Sequence, residues 1–121
     1  MDKDGKLEIH TQHHNMPIFF ERLRGSSALI SYNGLLWTVT HSVLYITPRK
    51  YYHNLVVLDP ATYKPVKMSL PFAFRDTKIE YCLGFERVDN DFIFTFSMND
   101  SDPHFVRVPI SWFNKNMMID L

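Results

Sequence analysis

The sequence predicts an all-β protein built of antiparallel four-stranded meanders, and three observations carry that reading. Apolar and polar residues alternate with a period of two through Leu35 to Val43, Ile79 to Glu86 and Asp91 to Met98, as in half-buried strands. Asn33-Gly34 and Asp89-Asn90 stand at the ends of such runs, where short side chains suit a tight hairpin turn. No run of about ten residues shows the period of an amphipathic helix, so any helix should be short and fall within Trp112 to Leu121.

Taken in order, residues 1–16 are polar and His-rich and are expected to form a flexible N-terminal arm. His10, His13 and His14 lack the spacing of a metal site. Pro17 to Leu23 is expected to be a short strand, followed by a small-residue turn at Arg24-Gly25-Ser26-Ser27. Ala28 to Tyr32 and Leu35 to Val43 flank Asn33-Gly34, the strongest hairpin signal in the chain. Trp37, Val39, His41 and Val43 share one face of the second strand, and Leu36, Thr38, Thr40 and Ser42 share the other. Tyr51 to Asp59 is a third strand, Asp59-Pro60-Ala61-Thr62 a turn, and Lys64 to Leu70 a fourth strand ended by Pro71. The β pattern then restarts with residues 79–87, 91–98 and 104–110, and residues 114–121 read as a C-terminal tail.

In the strand around Glu80, Ile79, Tyr81, Leu83 and Phe85 are expected to face the core, with Glu80, Cys82, Gly84 and Glu86 opposite. The expected core is Trp37, Val39, Val56, Leu58, Ile79, Tyr81, Leu83, Phe92, Phe94 and Phe96.

Composition narrows the class of protein. The chain has 121 residues, enough for one domain, with 45% apolar and 15% aromatic residues to fill a core. Thirteen Lys plus Arg balance thirteen Asp plus Glu, so charge gives no case for nucleic acid or an anionic membrane as partner. The single cysteine, Cys82, excludes an internal disulfide and a cysteine-rich zinc site. No apolar run approaches the ~20 residues of a membrane-spanning helix, and no hydrophobic signal segment follows Met1 to Lys6. The expectation is a soluble, cytoplasmic protein with no metal and no cofactor.

The two β units align. Placing Asn33 on Asn90 brings Thr38 onto Thr95, Thr40 onto Ser97 and His41 onto Met98. A repeat of about fifty residues built of four antiparallel strands is the signature of propeller blades. Residues 17–113 are therefore expected to form a partial β-propeller-like domain of about two blades. A plain sandwich or open meander is the simpler alternative.

Seven short segments occur in an order that resembles a known module. They are Arg24-Gly25-Ser26-Ser27, Val39-Thr40-His41-Ser42-Val43, Tyr51-Tyr52-His53, Leu58-Asp59, Ser69-Leu70-Pro71-Phe72, Ile79-Glu80-Tyr81-Cys82-Leu83-Gly84 and Ser97-Met98-Asn99-Asp100. The module is a propeller that accompanies glycosyltransferases in bacterial and giant-virus proteins. It is similar in turn to five-bladed glycosidases and mannoside phosphorylases. This chain is shorter than that fold, and it has Ser42 and Asn54 where the family often carries an acidic and a basic residue. The resemblance implies a carbohydrate-active or glycan-binding module with Arg24, Ser26, His41, Tyr52, His53 and Asn99 on the ligand. As an enzyme it would be a glycoside hydrolase or phosphorylase, with Glu80 as acid and Asp100 as the second carboxylate.

The residue types suit a polyhydroxylated ligand, since a carboxylate, a guanidinium, imidazoles and amides offer paired donors and acceptors. Arg24 and Glu80 lie near strand starts, and His41 and Asn99-Asp100 lie at strand ends, where propeller pockets form. Each residue also has a purely structural reading. Glu80 could pair with Arg24 or Lys78, and His41 could be a satisfied core histidine beside Trp37 and Val39. Cys82 reads as a small buried residue rather than a nucleophile. The alternative function is a non-catalytic assembly or protein-interaction module, part of a homo-oligomer or of a larger protein, because two blades leave open sheet faces and edges.

Overall fold

Each tight turn sits where the sequence places it and sets the pairing on either side. Asn33 and Gly34 take positive φ of 52° and 76°, and Tyr32 pairs with Leu35 across the turn. Asp89 takes a φ of 54° between the paired Val88 and Asp91. The computed structural model describes the chain except for residues 1–3, 10, 11, 14, 15, 17, 45–49, 76–78, 100 and 101.

The described residues are mostly antiparallel strand. β1 (Arg24–Gly25), β2 (Ile30–Tyr32), β3 (Leu35–Leu44), β4 (Lys50–Leu58) and β5 (Pro65–Ser69) lie in the first sheet. β6 (Glu80–Val88), β7 (Asp91–Met98) and β8 (Asp102–Pro109) form the second. A short helix α1 (Ile110–Asn116) then carries the chain back, and β9 (Met118–Asp120) adds to the outer side of β5. The helix falls largely within the C-terminal region where one was expected. The expected tail, residues 114–121, instead holds the end of α1 and a paired strand. Three residues of β9 are too few to show a period, which is why the strand was not legible.

The expected strand from Pro17 to Leu23 is a 3-10 helix at Ile18–Arg22. Ile-Phe-Phe-Glu-Arg has no alternation to hold it in a sheet. Among residues 1–16, the described positions form no strand or helix. His13 Nε2 bonds the Thr62 carbonyl at 2.9 Å.

The two sheets pack face to face. On the first, Trp37 pairs with Val57, Val39 with Leu55 and His41 with His53, so the face predicted for β3 is the inner one. Opposite lie Cys82, Phe85, Phe92, Phe94 and Phe96, and Ile110 and Phe113 of α1 join the same cluster. The aromatic rings meet edge-on or offset, with Phe94 5.2 Å from Phe85 and 5.8 Å from Phe113. That arrangement adds to the large apolar area such rings bury. The core therefore includes Leu55 and Val57 in place of the expected Leu58, while the buried Val56 faces outward.

β6 departs from its expected facing, and the cause is a β-bulge. The register shifts between Cys82 and Gly84: Cys82 pairs with Phe96 and Gly84 with Thr95, which leaves Leu83 as the extra residue. Glu80 and Cys82 are fully buried, Ile79 and Tyr81 are half-buried, and Leu83 is 63% exposed. Past the bulge Phe85 turns inward. One inserted residue thus puts Glu80, Cys82 and Phe85 on the same side, which strict alternation forbids. Gly84 makes the bulge possible, because a Cβ there would overlap Thr95 Oγ1. Gly84→Ala is expected to destabilise by roughly 1–3 kcal/mol, with part of the loss recovered by adding Thr95→Ala. Chemical denaturation of the two single variants and the double variant checks this, and strict additivity would contradict the overlap.

Candidate functional site

β1, β3 and β4 bring three basic side chains into line on the inner face. Arg24 pairs with His41, and His41 pairs with His53. From the second sheet Glu80 reaches between the layers, and His53 Nε2 lies 2.8 Å from its Oε1. Both side chains are completely buried.

Glu80 is also bonded by backbone. The Phe74 amide donates to Oε1 at 2.6 Å and the Arg75 amide to Oε2 at 3.2 Å. The segment bearing these amides is itself pinned to β4, where His53 and Phe72 exchange backbone hydrogen bonds of 2.8 and 2.9 Å. The His53 ring packs on Phe74, with centroids 4.6 Å apart, and on Phe72, 5.7 Å apart. Glu80 thus ties together β6, β4 and the connection between the sheets.

Burial by itself would raise the Glu80 pKa. The hydrogen bonds from His53, Phe74 and Arg75 outweigh it and hold the carboxyl at about 2. Glu80 is therefore a carboxylate at neutral pH, and His53 Nε2 carries the hydrogen it donates. A general acid needs the opposite environment, one that keeps the carboxyl protonated, and it needs access to the ligand. The expected role of Glu80 as acid does not fit this geometry. Cys82, two residues on, is equally buried, and burial followed by the Glu80 charge pushes its thiol up to about 12. That is an inert thiol.

A second cluster lies at the same end of the sheets. His41 Nδ1 is 2.7 Å from Ser26 Oγ. Its ring stacks parallel to Tyr51, with centroids 5.9 Å apart, and meets Tyr81 edge-on at 4.9 Å. Burial first, then the neighbouring His53 and Arg24, lower the His41 pKa from its usual value, which favours the neutral imidazole. Tyr51 and Tyr81 are half-buried, and Arg24 is exposed, with its guanidinium donating to the Glu21 and Leu23 carbonyls.

Arg24, Ser26, His41, His53 and Glu80 come together. Tyr52 does not, because it points to the opposite face of β4 from His53 and stacks under Lys50 Nζ at 5.1 Å. Asn99 takes a positive φ of 52° and donates its amide to the Ile79 carbonyl, so it closes the end of the β6–β7 pair. Asp100 lies outside the described residues. His104 stacks on Phe96 at 5.6 Å. Among the described residues no group of three His, Cys, Asp or Glu could hold a metal ion, and no helix is long and apolar enough to cross a membrane.

Sequence reasoning missed the Tyr81 ring as a partner of His41 and the two amides on Glu80. The first is a contact between residues of different sheets, forty positions apart, which no local pattern marks. The amides belong to the backbone and carry no residue signature. No protein-family model, curated protein or solved structure matches the chain.

Proposed function

We propose that the chain is a non-catalytic glycan-binding module whose ligand lies against Tyr51, Tyr81, His41 and Arg24. The observation that carries this reading is the Tyr51–His41–Tyr81 cluster, with Ser26 and the exposed Arg24 at its border. Flat rings take the apolar faces of a sugar, while hydroxyls, an imidazole and a guanidinium take its hydroxyl groups. Glu80 and His53 act as the buried brace beneath, with no part in bond cleavage. The stacking of consecutive antiparallel sheets is also in keeping with two neighbouring propeller blades.

Calorimetric titration with a panel of neutral oligosaccharides tests the reading. Tyr81→Ala or Tyr51→Ala should weaken binding about fivefold to tenfold, with the far-ultraviolet spectrum unchanged. Affinity that is indifferent to both substitutions, or a panel without a ligand, overturns it.

A second reading, self-assembly, rests on the outer face of the second sheet. Leu83 and Phe105 are 63% and 77% exposed there, on either side of Thr95, which pairs with both Gly84 and Phe105. The balanced charge, thirteen of each sign, offers no net repulsion between two copies. Sedimentation equilibrium of the wild type and of Phe105→Ser checks it. Association that Phe105→Ser abolishes is the expected result, and a monomeric wild type removes this reading.

A further inference from the structure

The face of the first sheet turned away from the core holds a cavity of about 340 Å³, which the sugar-binding reading does not use. Its volume is in the range of small-ligand sites. Met68, Leu70, Ile119 and Leu121 form apolar walls, and Ser42, Asn54 and Ser69 also line it. Strand alternation separates this cavity from the histidine cluster. Ser42 and Asn54 each follow a histidine, His41 and His53, and so take the opposite face.

Asn54 is 3% exposed. Its Nδ2 donates to the Ser69 carbonyl at 3.1 Å. A carbonyl can only accept, so this bond fixes the amide orientation and leaves Oδ1 as an acceptor with no partner among the described residues. Ser69 does not satisfy it, because its hydroxyl accepts from the Leu55 amide at 2.8 Å and donates to the Leu70 carbonyl at 2.9 Å. Buried amide oxygens are nearly always paired. Here an acceptor without a partner belongs to a residue in the wall of an apolar cavity.

We propose that this cavity binds a compact, largely apolar molecule bearing one N–H or O–H donor, and that Asn54 Oδ1 accepts the hydrogen bond from that donor. Apolar burial supplies the affinity, and Asn54 supplies the selection for the donor. The short strand β9 contributes one wall through Ile119, so the site depends on the C-terminal pairing of Met68 with Ile119.

Indole and benzothiophene are a matched pair of probes, nearly alike in shape, of which only indole carries an N–H. Titration of each into the nitrogen-15-labelled full chain, followed by amide chemical shifts, is the test. The expected result is saturable shifts at Ser42, Asn54, Met68 and Ile119, with indole about fivefold to tenfold tighter than benzothiophene. Asn54→Leu should remove that preference. If this variant does not fold, the comparison of the two probes on the wild type still decides. Equal affinities, shifts centred elsewhere, or no saturable shift at millimolar probe each overturn the proposal.

Discussion

Replacing Glu80 by Ala lowers the stability of the fold by about 3–5 kcal/mol, the cost of leaving one partner of a buried ion pair or hydrogen-bonded charge behind. Among the described residues three donors lose their acceptor at once: His53 Nε2–H and the amides of Phe74 and Arg75. His53→Ala should cost less than Glu80→Ala, because the two amides keep their carboxylate. The double variant should fall well short of the sum, since both changes remove one shared bond. Urea denaturation of the four proteins reads this directly. A loss under about 1 kcal/mol for Glu80→Ala would mark the pair as incidental.

The same group gives the stability a defined pH dependence. Its folded pKa of about 2 lies below the usual 4.5. The stabilisation it provides is therefore complete above about 4.5 and is lost as the pH falls from there towards 2. The Glu80→Gln variant should lack this part of the acid transition, and equilibrium unfolding at stepped pH compares the two.

Phe94→Ala is the second large effect, with an expected loss of roughly 3–5 kcal/mol. Phe94 is fully buried and lies against Phe72, Phe74, Phe85, Phe92 and Phe113. These rings come from two strands of the second sheet, the connection between the sheets and α1, so no single element can move to fill the space. A midpoint no different from that of a surface change such as Thr95→Ser would show that the sheets do not close on this ring.

The hairpins are legible in the sequence because their signals are local. Asn33-Gly34 and Asp89-Asn90 name their turns by side-chain chemistry, and the long runs of β3 and β7 alternate without interruption. The inner face of β7 followed from Phe92, Phe94 and Phe96 alone. β6 went wrong at one residue, since a bulge at Leu83 reverses the facing of all that precedes it, and alternation cannot register an insertion. β9 depends on pairing with β5, far back along the chain. Of the candidate site, Ser26 and His53 were named through the resemblance alone, while Arg24, His41 and Glu80 were legible from their places near strand starts and ends. The role of Glu80 was not, because a carboxylate's function follows from its burial and its donors. The two amides that hold it belong to a connection with no motif.

The central claim is that Glu80 is a brace ionised at neutral pH and not an acid. The carbon-13 shift of its carboxyl, followed by NMR from pH 7 downwards, tests that claim most directly. The account predicts a carboxylate signal that stays put through the usual range around 4.5 and begins to titrate only towards 2, or when the protein unfolds. A Glu80 carboxyl that takes up its proton above about pH 5 in the folded protein would contradict it and would return Glu80 to the role of a general acid.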